Sequence, residues 1–453
     1  MKPIDRDILL LALPSIVSNV TVPLLGLADV AIMGHIGNAR FIAAIAVGSM
    51  IFNVLYWLFA FLRMATSGIT AQAFGAGQGA KALAVLRRSL ALALSFGLVM
   101  VVLQWPLRLV AFWLMDATPD VEQLAIPYFN ICVWGAPAVL GAYALNGWFV
   151  GMQNTRVPML VAIGQNVLNI LASVAFVFGL GLQIEGVALG TLVAQWCSFV
   201  AALALAWRES RKSLAAIATK KPIATEEPSG TTETTETSNS TLQLDIFLRT
   251  LCLVAVNLYF TSAGAAQGAT ILAVNTLMMQ LYLLFSYFLD GFAFAGEALA
   301  GKYYGSGDAA SLRLVVRHLF RWGLLMALLF TVLYAVGGTP FLRLLTSDAA
   351  VVSAAAPYYR WALLIPLCGV AAFVWDGIYI GLTRSRGMLL ACLLAALVFF
   401  ALWLALRPAM GNHALWLALN AYLLARGLVQ TLIYLVYRAD FEPRPVPSMT
   451  SKD

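Results

Sequence analysis

Residues 127–156, PYFNICVWGAPAVLGAYALNGWFVGMQNTR, and residues 357–386, PYYRWALLIPLCGVAAFVWDGIYIGLTRSR, align without a gap at an offset of 230. Pro127-Tyr128 meets Pro357-Tyr358, Ala142 meets Ala372, Gly147 meets Gly377, Gly151 meets Gly381 and Arg156 meets Arg386. The same offset places Gly75 and Gly77 on Gly305 and Gly307, and Arg87 on Arg317. Apolar character alone does not hold Gly, Pro and Arg in register, so the chain is an internal duplication.

The text around this repeat is that of a membrane protein. Of 453 residues, 61% are hydrophobic and only 11% charged, with a mean hydropathy of +0.86. A soluble globular chain has roughly 45–50% apolar and about 25% charged residues, which excludes a soluble enzyme. Apolar runs of bilayer-spanning length lie near 8–35, 41–74, 86–105, 127–151, 157–180, 186–207, 246–265, 271–300, 314–336, 357–382, 387–406 and 412–437. The expected fold is therefore an all-α polytopic membrane protein of twelve transmembrane helices. Six spans per copy is an even number, so both copies enter the membrane in the same direction. Two six-helix bundles, 1–207 and 246–437, should surround a central cleft. Between them, 208–245 contains the low-complexity run GTTETTETSNST and is expected to be a flexible cytoplasmic linker; 438–453 is a cytoplasmic tail.

The net charge of +7 is explained by position. With a cytoplasmic N-terminus, Lys2, Arg6, Lys81, Arg87, Arg88, Arg156, the basic residues from Arg208 to Arg249, Lys302, Arg313, Arg317, Arg321, Arg384, Arg386 and those after Arg426 fall inside. Arg40, Arg108, Arg343 and Arg407 fall outside. This is the positive-inside pattern, with both termini cytoplasmic, and it gives no support for a nucleic-acid partner. The first span is too long for a signal-peptide core and is expected to remain in the mature protein. The scattered cysteines, Cys132, Cys197, Cys252, Cys368 and Cys392, read as buried free thiols.

Four acidic residues sit within predicted spans, and each must be wet, paired or protonated there. Asp29, in VPLLGLADVAIMGH, shares its helix with Pro14 and Pro23, either of which could free carbonyls and bend it. Asp290 and Glu297, in YFLDGFAFAGEALAG, are two helical turns apart and share one face. Arg63 has Ala293 as its repeat equivalent, midway between those acids, so a pairing of Arg63 with Asp290 or Glu297 as part of a gate is expected. Asp376 has Asn146 as its equivalent, and the asymmetry suggests distinct tasks. Asn166 and Asn169, followed by Ser173, add polar groups to the fifth span. The plain alternative for all of these is helix-to-helix bonding with no role in transport. Tyr56, Trp57, Phe61, Met64, Met278, Met279, Tyr282 and Phe285 could line a cavity or simply pack.

No GxxxxGK[ST] loop, HExxH pair or Cys/His cluster is present in the sequence. The chain carries no ATPase, no metal site is expected, and no cofactor is implied; an ion gradient should drive it. An internally duplicated bundle of this kind fits a secondary transporter.

The runs VPLLGLADVAIMGHIG, FLRMATSGITAQAFGAG, LDGFAFAGEALAG, WDGIYIGLTRS and GNHALWLALNAYLLARG together resemble the multidrug and toxic compound extrusion (MATE) transporters, in particular the DinF, or DNA-damage-inducible protein F, branch. The resemblance spans almost the whole chain. It implies alternating access and export of organic cations or amphipathic toxic compounds against entry of protons or sodium, in a cytoplasmic membrane. It matches Asp29 to the family's first-helix aspartate, Asn169 and Thr191 to polar residues of a coupling-ion site in the N-terminal bundle, and Asp376 to a tenth-helix aspartate. Asp290 and Glu297 match the branch's eighth-helix pattern. Ser173 stands where many relatives have a second aspartate, and Val254 where some branches have a glutamate, which tilts the expected coupling from Na+ toward H+ through Asp29. Asp290, Glu297, Asp376, Arg63 and Asn146 are the expected substrate-binding or gating residues. The expected partners are membrane lipid and a small organic substrate, and the sequence carries no signal for an oligomeric state. The rival readings are a flippase for lipid or lipid-linked precursors and a membrane-embedded acid/base enzyme, the latter lacking a positioned nucleophile or metal.

Overall fold

A computed structural model describes residues 3–34, 39–115, 118–219, 232–346 and 348–443. Among them, every regular element is helical. The long helices are α1 (Pro3–Gly34), α2 (Arg40–Gly75), α3 (Gly79–Val102), α4 (Pro119–Gly151), α5 (Arg156–Gly179), α6 (Ile184–Arg211), α7 (Ser240–Ala265), α8 (Ala269–Gly305), α9 (Ala309–Gly338), α10 (Tyr359–Gly381), α11 (Ser385–Met410) and α12 (Asn412–Val436). From α2 onward these are 23 to 37 residues long and apolar enough to cross a membrane. That length follows from the bilayer: at 1.5 Å per residue, about 20 residues span its hydrocarbon core. The backbone has no water to bond with there, so it closes its own hydrogen bonds.

Two features depart from the sequence expectation. Gln104–Met115 and Ala349–Ala355 are additional helices in connections that hydropathy leaves blank. In the segment 208–245, helix continues from Ile184 to Thr219 and begins again at Thr232, so both flanks of the expected linker are helical; 220–231 lie outside the described residues. Thr- and Glu-rich text is a poor core former, but a helix already nucleated within the membrane needs no core to be extended.

The chain divides into two compact units. One comprises Val17–Thr70 and Gln78–Thr234, the other Met1–Ile16, Ala71–Gly77 and Thr235–Asp453. We call them the N- and C-terminal units. In the N-terminal unit, α3 lies along α4 and α5 along α6. Its centre is an apolar cluster around Leu145, Trp148, Phe149 and Phe199. In the C-terminal unit, α10 is the central helix, packed on α8, α9 and α12, with 72% of its most apolar window buried. α11 pairs with α12.

The duplication is written into the backbone. Gly77 and Gly307 both have positive φ, at 70° and 78°; Gln153 and Thr383 do so at 63° and 55°, and Gly181 and Gly411 at 73° and 52°. Each pair is separated by the offset of the repeat. Gln153 and Thr383 follow α4 and α10, whose ends close identically. Asn154 N–H reaches Phe149 O, and Arg384 N–H reaches Tyr379 O, each at 2.9 Å. These are the long bonds of a Schellman ending, which needs one left-handed residue.

Glycines also hold the C-terminal unit together. A Cβ on Gly75 would stand 1.9 Å from the Lys302 carbonyl oxygen, and one on Gly305 would stand 2.1 Å from that of Gln72. These contacts are reciprocal under the repeat, and small residues are what permit backbones to approach so closely. Gln72 Nε2 also donates to Gly381 O at 2.9 Å and Thr383 Oγ1 at 3.2 Å.

The cysteines are not uniformly buried. Cys132 and Cys392 are; Cys252 and Cys368 are half-buried and Cys197 is exposed. The sequence reading assumed that an apolar segment hides its side chains, but a membrane helix has no need to hide an apolar face from lipid.

Candidate functional site

In the N-terminal unit, α5 and α6 are held close by Gly190. A Cβ there would lie 2.3 Å from Ser173 Oγ and 2.7 Å from Ser173 N. This proximity brings Asn169 and Thr191 together, with Asn169 Nδ2 donating to Thr191 Oγ1 at 2.9 Å. Asn169 and Ser173 are fully buried and Thr191 nearly so. Asn169 Oδ1 and Ser173 Oγ have no hydrogen-bond partner. Buried oxygens are rarely left so, because each costs about 1–3 kcal/mol. The three residues therefore form a set of neutral oxygens able to accept a proton donor or ligate a small cation. Asn166 Nδ2, on the same helix, donates to Thr21 O of α1 at 2.9 Å. α1 itself is helical through Pro14 and Pro23, and the side chain of Asp29 lies outside the described residues.

Asn146 presents a buried Oδ1 without a partner, as do the hydroxyls of Tyr56, Ser67 and Thr70. Ser67 is the repeat equivalent of Glu297, as Asn146 is of Asp376. At these two positions the N-terminal copy carries a neutral polar group and the C-terminal copy a carboxylate.

There, Glu297 is 1% exposed, and Asp290 is half-buried with Ser286 Oγ donating to its Oδ2 at 3.3 Å. Arg63 is half-buried in the N-terminal unit, whereas Asp290 and Glu297 belong to the C-terminal unit.

Asp376, on α10, lies at the centre of a buried ionic cluster. Arg249 of α7 donates to Asp376 Oδ2, Arg426 Nη2 of α12 lies 3.4 Å from the same oxygen, and Gln430 Nε2 donates to Oδ1 at 2.7 Å. The Gln430 backbone is fixed in turn by Tyr379, whose hydroxyl donates to Gln430 O at 2.7 Å. Arg426 lies over the rings of Phe373 and Tyr422, 5.6 and 5.8 Å from their centres. Cys392 Sγ lies 3.8 Å from Arg249 O and 3.5 Å from the Tyr422 hydroxyl.

The two arginines are functional candidates that the sequence reading missed. Its place in the sequence groups Arg249 with the linker's basic residues, yet it is 5% exposed inside α7. Its helix begins at Thr232, before the hydropathy rises, which puts the residue more than four turns in. Arg426 and Gln430 stand four residues apart in LLARGLVQ, a spacing that puts both on one face and was a readable signal.

A family profile described as MatE matches the chain twice, over residues 14–175 and 246–406, once in each copy of the repeat. DNA damage-inducible protein F of Escherichia coli (strain K12) is 36% identical over 430 residues, covering 95% of this chain and 92% of that protein. A probable multidrug resistance protein NorM of Thermotoga maritima is 22% identical over 95% of this chain and 92% of its own. Among solved structures, an outward-facing multidrug resistance MATE family transporter of the MOP superfamily superposes with a TM-score of 0.85 at 18% identity, covering 98% of both chains. That likeness establishes the fold.

Proposed function

This chain belongs to the MatE family of multi-pass membrane transporters and is not an enzyme, and from that membership we propose that it exports amphipathic toxic compounds by alternating access, coupled to proton entry through Asp29. It would sit in a cytoplasmic membrane with both termini inside. The observation that supports proton coupling is the oxygen set of Asn169, Ser173 and Thr191, which contains no carboxylate. A hard cation is held best by several oxygens with charge compensation. Neutral amide and hydroxyl oxygens suit a proton relay instead, receiving a hydrogen bond from a carboxyl group when it is protonated. Of the two substrate classes the sequence allows, organic cations and amphipathic compounds, the two guanidiniums at Asp376 favour the second. That acid is already neutralised and offers no free charge to a cation.

The test is uptake of a fluorescent amphiphile into proteoliposomes under an imposed pH gradient without sodium, comparing the native chain with Asp29→Asn. Gradient-driven transport that the variant loses supports the reading. Transport that requires sodium, or movement of labelled phospholipid with no gradient-driven export, overturns it.

A further inference from the structure

The cluster at Asp376 holds more hydrogen-bond donors and more positive charge than its single carboxylate can use. Arg249, Asp376, Arg426 and Gln430 are between 0% and 7% exposed. The ion pairs of both arginines end at Asp376, giving the group a net charge of about +1. The acid one turn earlier on α7, Asp245, is engaged elsewhere, accepting from Ser385 Oγ at 2.7 Å. Arg249 Nε and Arg426 Nε, both buried, have no partner, nor does Gln430 Oε1.

A packing role needs only one arginine per carboxylate. The second adds a buried charge, and removing such a charge from water is costly unless an opposite one compensates it. Unused N–H donors on two guanidiniums add to that cost. Both penalties vanish when an anion joins the cluster. Planar guanidiniums are suited to oxyanions, which they bind in forked pairs of hydrogen bonds.

We infer that Arg249 and Arg426 form a recognition site for the anionic headgroup of an amphipathic compound, with Asp376 and Gln430 holding the guanidiniums in place. The ligand's headgroup is a carboxylate, sulfonate or phosphate ester, and its apolar body lies against the rings that flank Arg426. Phe373 and Tyr422 are within 6 Å of the guanidinium carbon, and Tyr282 extends this wall with its ring centre 6.4 Å from that of Phe373. The site lies within the C-terminal unit, with its polar side chains contributed by α7, α10 and α12. It narrows the substrate class of the export reading, on which its transport role rests.

The experiment measures equilibrium binding of a fluorescent coumarin carboxylate and of its uncharged carboxamide to the purified full-length chain in a non-ionic detergent. The native protein should bind the carboxylate about tenfold or more tightly than the amide, a difference of about 1.4 kcal/mol. Arg426→Gln and Arg249→Gln should each remove most of that preference. Arg426→Lys should restore part of it, and thermal melting of each variant confirms folding. Equal affinity of native protein for the two probes overturns the proposal, as does a preference that survives in both folded glutamine variants. Repeating the titration in nanodiscs with and without phosphatidylglycerol identifies the source of the anion. Displacement by that lipid alone assigns the site to a lipid headgroup, and undiminished binding assigns it to a soluble amphiphile; both support the site. Carboxylate preference without gradient-driven transport would remove the export reading and leave the site standing.

Discussion

Gly147 and Gly377 occupy the same place in the two copies of this chain. A Cβ on Gly147 would stand 2.2 Å from the carbonyl oxygen of Arg63, and one on Gly377 would stand 2.2 Å from that of Ala293, with Arg63 and Ala293 themselves one repeat apart. α4 thus crosses α2 as α10 crosses α8, backbone against backbone, at the level of the polar residues Asn146 and Asp376.

Adding a methyl group at these crossings should separate the helices. Gly147→Ala and Gly377→Ala are each expected to destabilise their unit by roughly 1–3 kcal/mol. Thermal unfolding in detergent checks this. Gly164, whose Cβ would meet nothing within 4 Å, is the control and should tolerate alanine without loss.

Asp308 and Gln78 are equivalent N-caps with equal φ of −89°, yet only Asp308 has a capping bond, accepting from Ser311 N at 2.9 Å. Hydrogen bonds from the Ser311 hydroxyl and backbone amide hold its carboxyl below the ordinary carboxylate range. A depressed folded-state pKa contributes stability above the unfolded value, lost as pH falls through the folded one. Asp308→Ala should therefore cost about 1 kcal/mol at neutral pH, and less in acid below the carboxylate range. Gln78→Asp should add a few tenths of a kcal/mol to about 1 kcal/mol at neutral pH. Melting curves at pH 7 and at acid pH measure both.

Gln153 has φ of 63°, where a side chain is disfavoured. Gln153→Gly should stabilise the chain by about 1 kcal/mol. Both glycines forgo side-chain bonds: Gln153 Nε2 donates to Gly151 O at 3.3 Å two residues away, whereas the Thr383 hydroxyl donates to Leu382 O at 2.8 Å and accepts from Gln72 of another helix, so the gain at Thr383 should be smaller. A larger rise in melting temperature for Thr383→Gly than for Gln153→Gly would contradict this account.

The Asp376 cluster should respond unequally to loss of its members. Asp376→Asn leaves two guanidiniums facing each other and should cost about 3–5 kcal/mol. Arg249→Gln leaves a balanced pair and should cost less. The double variant should recover part of the loss, and a double-mutant cycle on unfolding measures the coupling.

The spans and the repeat were legible because both are one-dimensional signals. Hydropathy over about 20 residues reports membrane depth, and a constant offset reports duplication. Gly75, Gly77, Gly147 and Gly377 could be marked from their register alone, though only the backbone showed which of them serve a left-handed turn and which a close crossing. The Asn169–Thr191 bond depends on α5 and α6 meeting at Gly190, which no spacing along the chain reveals. Arg249 was misplaced because a helix can begin before its text becomes apolar. Its meeting with Arg426 at Asp376, across 177 residues and the four long helices between α7 and α12, is a product of tertiary packing.

The paired left-handed residues make the connections of this chain interchangeable parts. The turn at Gly77 and the turn at Gly307 bend alike while their flanking side chains have diverged, as do those at Gln153 and Thr383. Geometry has been conserved between two copies that no longer share a chemistry. Transplanting 76–79 onto 306–309 should therefore leave the C-terminal unit folded, and the asymmetry between the two halves must reside in what their helices carry inward.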